Sequence, residues 1–290
     1  MELFVQSLVS GILLGGLYAA IGVGLSLVFG IMGLTNIAHG SLMILSSFFI
    51  MLFSQQAFGN TLIALILTFA IMAGIGALTQ GALINRVLSK GAEPALLVTF
   101  GVAIIVQNVL QLLFGADFKS IKSPLAGINV VNTHWIIISG EYLFNFAVSA
   151  AIIIALHLLI KKTKFGRTIR AASSNVVSAE LMGVNTKLTY IHTMAIAVVS
   201  GSVGGLLVGQ TFGFYSYSGM SYLIIAFGVV VIGGMGSIVG TMLGGIILGV
   251  AQVLGAYFFG PGLQNFIGYL TLLVILTFRP QGLLSIAKRK

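Results

Sequence analysis

The sequence predicts an all-α, polytopic transmembrane helix bundle of about eight or nine spans, with broken helices and one short cytoplasmic helix. Three observations predict it. Only 7% of the 290 residues are charged and 58% are hydrophobic, with a mean hydropathy of +1.13, whereas a soluble domain carries roughly a quarter charged residues. Apolar runs near the length of about 20 residues that a helix needs to cross a bilayer recur from end to end. Six of the fourteen basic residues (Lys161, Lys162, Lys164, Arg167, Arg170 and Lys187) crowd into one stretch, with Glu180 as its acid. Each such charge at the bilayer centre would cost about 2.5–3.5 kcal/mol even on a lenient insertion scale, so this stretch lies in water. The positive-inside rule puts it in the cytoplasm. Residues 1–290 read as one membrane domain, with 161–187 as a cytoplasmic loop inside it.

The first run, 5–29, reads as a retained span, because Met1 and Glu2 supply no basic segment of the kind that opens a cleaved leader. Gly11, Gly15 and Ala19 recur on it at four-residue spacing, as do Gly201, Gly205 and Gly209, and Gly236, Gly240 and Gly244, on later runs. Such rows let helix backbones approach closely, either as packing within the bundle or along a solute path. A break at 30–36 leads into the second run, 37–54, which Asn36 and His39 open. The third run, 61–84, is followed by Arg86 and Lys90. The fourth, 94–114, carries Gln107, Asn108 and Gln111, with Gln107 and Gln111 four apart and so on one face. Interhelical hydrogen bonding and contact with a polar solute or a partner both suit these amides.

An outer segment, 115–135, holds Lys119, Lys122 and Asp117, and the fifth run, 136–160, closes with His157 at the interface. Beyond the loop come 188–210, 221–235, 238–258 with Gln252, and 263–279. The run 221–235 is short for a crossing, which leaves eight or nine spans open. After it, Gly233, Gly234, Gly236 and Gly240 mark a second break, a hinge on a transport path or a tight inner turn. With the N-terminus outside and the C-terminus inside, Arg86, Lys90, the loop, and Arg279, Lys288, Arg289 and Lys290 all fall on the cytoplasmic side.

The loop carries the sharpest local signal. Asn175 or Ser174 suits an N-cap, and Gly183 suits the left-handed stop with Val184 as its apolar follower. Val177, Leu181 and Val184, at i, i+4 and i+7, predict one apolar stripe on a helix from about 175 to 182. Such a stripe calls for a partner groove; the alternative is a basic loop resting on lipid headgroups. Other chemistry is excluded. The acids Glu2, Glu93, Asp117, Glu141 and Glu180 all miss the middle of a run, unlike the carboxylates of ion-coupled pumps. No phosphate-binding G-x-x-x-x-G-K-[ST] motif occurs, no metal-ligand spacing is visible, and the absence of cysteine removes disulfides and thiolate chemistry. The net charge of +9 lies between apolar runs, as topology signals and anionic-lipid contacts, and does not mark a nucleic-acid surface.

Four motifs in order resemble one family. Gly166-Arg167-x-x-Arg170-Ala171, followed by Asn175, Ala179 and Gly183-Val184, resembles the cytoplasmic motif of bacterial ABC-importer permeases, above all the branched-chain amino-acid permeases, with urea and short-amide permeases in the same group. The elements Thr35-Asn36-Ile37-Ala38-His39-Gly40, Val231-Ile232-Gly233-Gly234-Met235-Gly236-Ser237-x-x-Gly240 and Phe278-Arg279-Pro280-Gln281-Gly282-Leu283 resemble three further signatures of that group; Ser41 stands where relatives often carry an acid. The resemblance implies a permease in the bacterial cytoplasmic (inner) membrane that pairs with a second, homologous permease. Two cytoplasmic ATPase subunits and an external or periplasmic solute-binding protein complete the assembly. ATP is then hydrolysed by the partners and no cofactor is bound by this chain. Gly166, Arg167, Arg170, Ala171, Asn175, Val177, Ala179, Leu181, Gly183 and Val184 become the ATPase-coupling set. The implied solutes are leucine, isoleucine and valine, or urea and short amides; a self-sufficient channel or facilitator is the alternative.

Overall fold

The computed structural model describes residues 2–57, 59–133 and 136–284. Lys288, Arg289 and Lys290 lie outside the described residues. The helices are α1 (Glu2–Met32), α2 (His39–Met51, extended by a π turn Leu52–Ala57), α3 (Thr61–Val87), α4 (Ala92–Phe114), α5 (Gly140–Lys162), α6 (Lys164–Ser174), α7 (Val176–Leu181), α8 (Thr186–Thr211), α9 (Gly219–Gly233), α10 (Ile238–Phe259) and α11 (Gln264–Phe278, lengthened at its start by a 3-10 turn Pro261–Leu263 to an 18-residue segment). Seven helical segments are long and apolar enough to cross a membrane, and α2 and α9 are shorter apolar helices. Every apolar run read from the sequence is therefore helical. The run 136–160 starts late, because Ile137–Ser139 is a strand paired antiparallel with Asn129–Asn132. This small hairpin is the one departure from an all-α chain among the described residues.

Helix α1 is the central post, buried almost continuously from Gly11 to Val28. Its glycines explain how so apolar a helix packs without a hydrophobic drive from lipid. A Cβ at Gly15 would lie 2.4 Å from the Ile246 Cα, and one at Gly245 would lie 2.4 Å from the Gly15 carbonyl oxygen, so α1 and α10 touch backbone to backbone in antiparallel array. The second row works the same way: a Cβ at Gly205 would sit 2.6 Å from the Met43 carbonyl oxygen. In this structure the small-residue rows serve packing.

The two short helices are half-spans that begin inside the bundle. Helix α1 stops at Gly33, whose φ of +64° ends it in the left-handed region. The chain then doubles back without helix through 33–38, and buries Leu34, Asn36 and Ala38. It reaches His39 beside the Ile21 carbonyl, about 16 Å back along α1 at a rise of about 1.5 Å per residue. Helix α2 starts there. From the opposite end, 212–218 descends without helix to start α9 at Gly219. The two N-termini abut: a Cβ at Gly40 would lie 2.0 Å from the Gly219 carbonyl oxygen, and one at Gly219 would lie 2.9 Å from the Ser41 Cα. The 15 residues of α9 reach only about 22 Å, short of the roughly 30 Å hydrocarbon core. The shortness of run 221–235 thus has a physical cause: it is a half-helix fed by the irregular segment 212–218, which tucks Gly213, Phe214 and Ser216 into the bundle.

The antiparallel packing sorts the loops to two ends. Gly30 meets Gly236, Asn85 donates to the Lys187 carbonyl, and Leu283 and Leu284 donate backbone N–H to Ile232 and Gly233. This end therefore carries Arg86, Lys90, the basic stretch 161–187 and Arg279. At the other end Lys119 bridges Phe214, and the Gln6 amide clamps Ile137 through both backbone groups, at 2.8 and 2.9 Å.

Candidate functional site: a capped helix at the basic end

The chain leaves the bundle at Lys162 and turns back at once. Thr163 caps α6 by accepting from the Gly166 N–H at 3.0 Å. A Cβ at Gly166 would stand 2.0 Å from the Ile160 carbonyl oxygen, so only glycine lets α6 fold down onto the end of α5. Gly166, Ile169 and Ala172 face inward, and Arg167, Arg170 and Ala171 are exposed. The Arg170 guanidinium donates to the Ile160 carbonyl and pins α6 to α5. A loop was expected here. The inward stripe Gly166, Ile169, Ala172 was the available signal, masked by the cations between.

Helix α7 follows after one extended residue, Asn175, whose Oδ1 accepts from the Ser178 N–H at 2.9 Å. At its other end Gly183 has φ +83°. Its N–H donates to the Glu180 carbonyl at 2.9 Å, and Val184 N–H donates to the Ala179 carbonyl at 3.0 Å, the paired bonds of a Schellman stop. Ala179 is buried against the neighbouring helices. Val177 is 67% exposed, Leu181 84% and Met182 85%. The apolar face differs from the expected stripe in one member. Val184 lies past the glycine stop, off the helix and half-buried, and Met182 joins Val177 and Leu181 outside.

The foot of α7 is fixed to the bundle. The Thr186 hydroxyl donates to the Glu180 carboxylate, and Asn185 caps α8 by accepting from the Leu188 N–H at 3.0 Å. From there α8 runs inward to the junction of the half-helices. His39 is 2% exposed. Its Nε2–H donates to the Ile21 carbonyl at 2.9 Å, and its ring fills the space left by Gly24 and Gly201, where a Cβ would come within 2.8 and 3.0 Å of Cε1. Asn36, 1% exposed, accepts from the Ala38 N–H at 3.0 Å and donates to the Met194 sulfur of α8 at 3.5 Å. Both residues therefore bind α1, α2 and α8 together in the bundle interior.

The fourth-span amides lie elsewhere. Helix α4 buries Ala95, Thr99, Ala103 and Leu110, while Gln107 is half-buried and Asn108 and Gln111 are exposed at its flank. Asn108 spends its amide on the Ile104 carbonyl one turn back. The hinge glycines form a third cluster. Gly234 and Gly236 have φ of +104° and +85°, Gly233 packs on Gly240, and a Cβ at Gly282 would lie 2.4 Å from the Gly234 Cα. The late glycine motif and the 278–283 motif thus meet in space, a pairing invisible in sequence.

Comparison with known proteins places the chain. The family described as the permease component of branched-chain amino acid transport systems matches residues 7–276. The chain is 31% identical to the high-affinity branched-chain amino acid transport system permease protein BraD of Pseudomonas aeruginosa, over 97% of this chain and 96% of that one. It is similarly 31% identical to LivH of Salmonella typhimurium and 30% identical to LivH of Escherichia coli, each over 97% of this chain and 96% of the relative.

Proposed function

The chain belongs to the family of branched-chain amino acid transport permease components, and from that premise we propose that it carries leucine, isoleucine and valine inward, driven by separate ATPase subunits. The observation that carries the ATPase coupling is α7. A six-residue helix capped at both ends holds Val177, Leu181 and Met182 out from the basic end of the bundle. Three apolar side chains so placed would contribute about 1.5–3 kcal/mol each on burial, before ordering costs. The occupant argued for is a cleft on a cytoplasmic ATPase, with the exposed Arg167 beside it for carboxylates. The N-terminus then lies outside and the C-terminus in the cytoplasm of the bacterial inner membrane.

Motion of α7 has a mechanical route. The Thr186 hydroxyl at the start of α8 donates to Glu180 and ties α7 to it, and α8 holds His39 and Met43 of α2 through Gly201 and Gly205. A shift at the cytoplasmic end therefore reaches the place where the half-helices α2 and α9 begin. Alternation of access follows if that junction opens to one side at a time, the arrangement expected of discontinuous helices at the bilayer midplane. The exposed amide flank of α4 is costly in lipid, and it is the surface argued to meet the second permease or the solute between them. The external solute-binding protein would deliver the solute to the opposite end.

Co-purification and uptake test this together. The tagged permease should bring ATPase subunits with it. Cells bearing the complex should take up labelled leucine and valine, and not urea, only while ATP is hydrolysed. Uptake by the permease alone, without ATPase subunits, would mark a facilitator and defeat the proposal.

A further inference from the structure

At the basic end a cavity of about 540 Å³ opens between α1, α5, α6 and the start of α10. This lies within the range of roughly 300–1,000 Å³ typical of small-ligand sites. Its apolar lining is made of the buried Leu27 and Ile31 of α1 and Ile169 of α6, with the exposed Val239 of α10 at its edge. Its rim carries Lys161, Arg170 and His157, and no acidic side chain lines it. Arg170 is held in place by the Ile160 carbonyl, which takes only one of its donors. Ser237, also in the lining, already caps α10 through the Gly240 N–H at 3.0 Å, so the cations and not the helix end supply the attraction.

We propose that this cavity holds one anionic phospholipid, its phosphate on Lys161 and Arg170 and an acyl chain along the apolar wall. Apolar side chains beside two cations, at the end of a span, match a lipid at the membrane surface better than a soluble anion. A free phosphate would leave the apolar wall empty. The lipid would then hold α6 against α1 and α5, and would set the resting position of the arm that carries α7. The inference rests on the proposed orientation, which places this end at the inner leaflet.

The test is native mass spectrometry of the purified complex after exchange into an equimolar mixture of phosphatidylglycerol and phosphatidylethanolamine. One phosphatidylglycerol should remain on the permease in preference to phosphatidylethanolamine. Lys161→Gln should lower that retention about fivefold, the factor implied by roughly 1 kcal/mol per basic residue at a membrane surface, while Lys161→Arg keeps it. Val239→Trp, which fills the apolar part and leaves every cation, should lower it as well. Equal retention of the two lipids, or retention unchanged in both Lys161→Gln and Val239→Trp, overturns the proposal. Displacement by millimolar inorganic phosphate overturns it too, because it would mark a plain anion site. Lipid is counted on the permease itself. Failure of ATPase subunits to co-purify therefore bears on the coupling reading alone, and loss of lipid preference with those subunits present bears on this one alone.

Discussion

Replacing Gly183 probes the proposed coupling helix α7 through its backbone alone. The residue sits at φ +83° and a Cβ built on it meets nothing within 4 Å, so side-chain bulk has nothing to strike. The cost of a substitution is conformational, about 1–2 kcal/mol for an ordinary L-residue held left-handed. If φ reverts instead, the Schellman bonds from Gly183 to Glu180 and from Val184 to Ala179 are lost. Helix α7 has six residues, against the roughly 12–15 an isolated helix needs even to be marginal, so its ends decide whether it forms. A loss of one to two kcal/mol lowers the formed population about 5–30-fold. The expected order of solute-stimulated ATPase activity in the reconstituted complex is Gly183 wild type, then Gly183→Asn close behind, then Gly183→Ala, with Gly183→Val lowest. Asparagine tolerates the left-handed region and a β-branched residue does not. Circular dichroism and membrane insertion should be unchanged across the series. The reasoning is refuted if Gly183→Asn falls as far as Gly183→Val, or if Gly183→Val keeps full stimulation and normal uptake.

Other outcomes follow from the same geometry. Single cysteines at Asn60 and Ser174, probed with an impermeant thiol reagent on whole cells, should label at 60 and not at 174; labelling of 174 from outside reverses the orientation. Leucine at both Gln107 and Gln111 should reduce uptake while expression and assembly hold, and unchanged uptake would reduce this face to packing. Gly40→Ala should abolish folded permease in detergent, because its Cβ would lie 2.0 Å from a backbone oxygen, whereas Gly101→Ala, with open space around it, should be neutral or stabilising by up to about 1 kcal/mol. Tyr18→Phe removes the 2.6 Å hydrogen bond to Gln252 that joins α1 to α10, and should cost about 0.6 kcal/mol, the average for such bonds in a membrane; no change in thermal stability would count against that bond.

The spans were legible because water excludes about 20 apolar residues at a time, and that signal needs no knowledge of neighbours. Asn175 and Gly183 were legible because caps are local: each needs only the few residues it closes. Helix α6 is hidden in the sequence because its inward face is made of Gly166, Ile169 and Ala172, two of them small, with cations between that give it no apolar periodicity. The i, i+4, i+7 stripe fails at Val184 because Gly183, at positive φ, ends the helical geometry one residue before it. His39 and Asn36 were visible as polar residues at a break, but their partners are the Ile21 carbonyl and the Met194 sulfur, far away in sequence. The same holds for the contact between Gly282 and Gly234. Side-chain type announces polarity and leaves its destination open.

The abutting half-helices bring these observations to one mechanical point. Two N-termini meeting inside a bundle place like partial charges together, which is unfavourable by itself. Here the junction is closed by small groups, Gly40 and Gly219 with Ser41 between them, and braced by His39 on the Ile21 carbonyl. Every brace is a neutral hydrogen bond or a glycine contact, and none of the chain's five acids lies there. The junction is strained against itself electrostatically and secured by contacts to α8 at Gly201 and Gly205, the helix whose first turn is tied to α7 through Glu180 and Thr186. On the coupling proposed above, work done on α7 would reach this junction along one helix. Severing that link should uncouple the transporter without harming its assembly. Thr186→Val removes the hydroxyl that donates to the Glu180 carboxylate and leaves the contacts at Gly201 and Gly205 in place. Stimulated ATPase activity should vanish while α7 still binds the ATPase; retained coupling would show that the motion travels by another route.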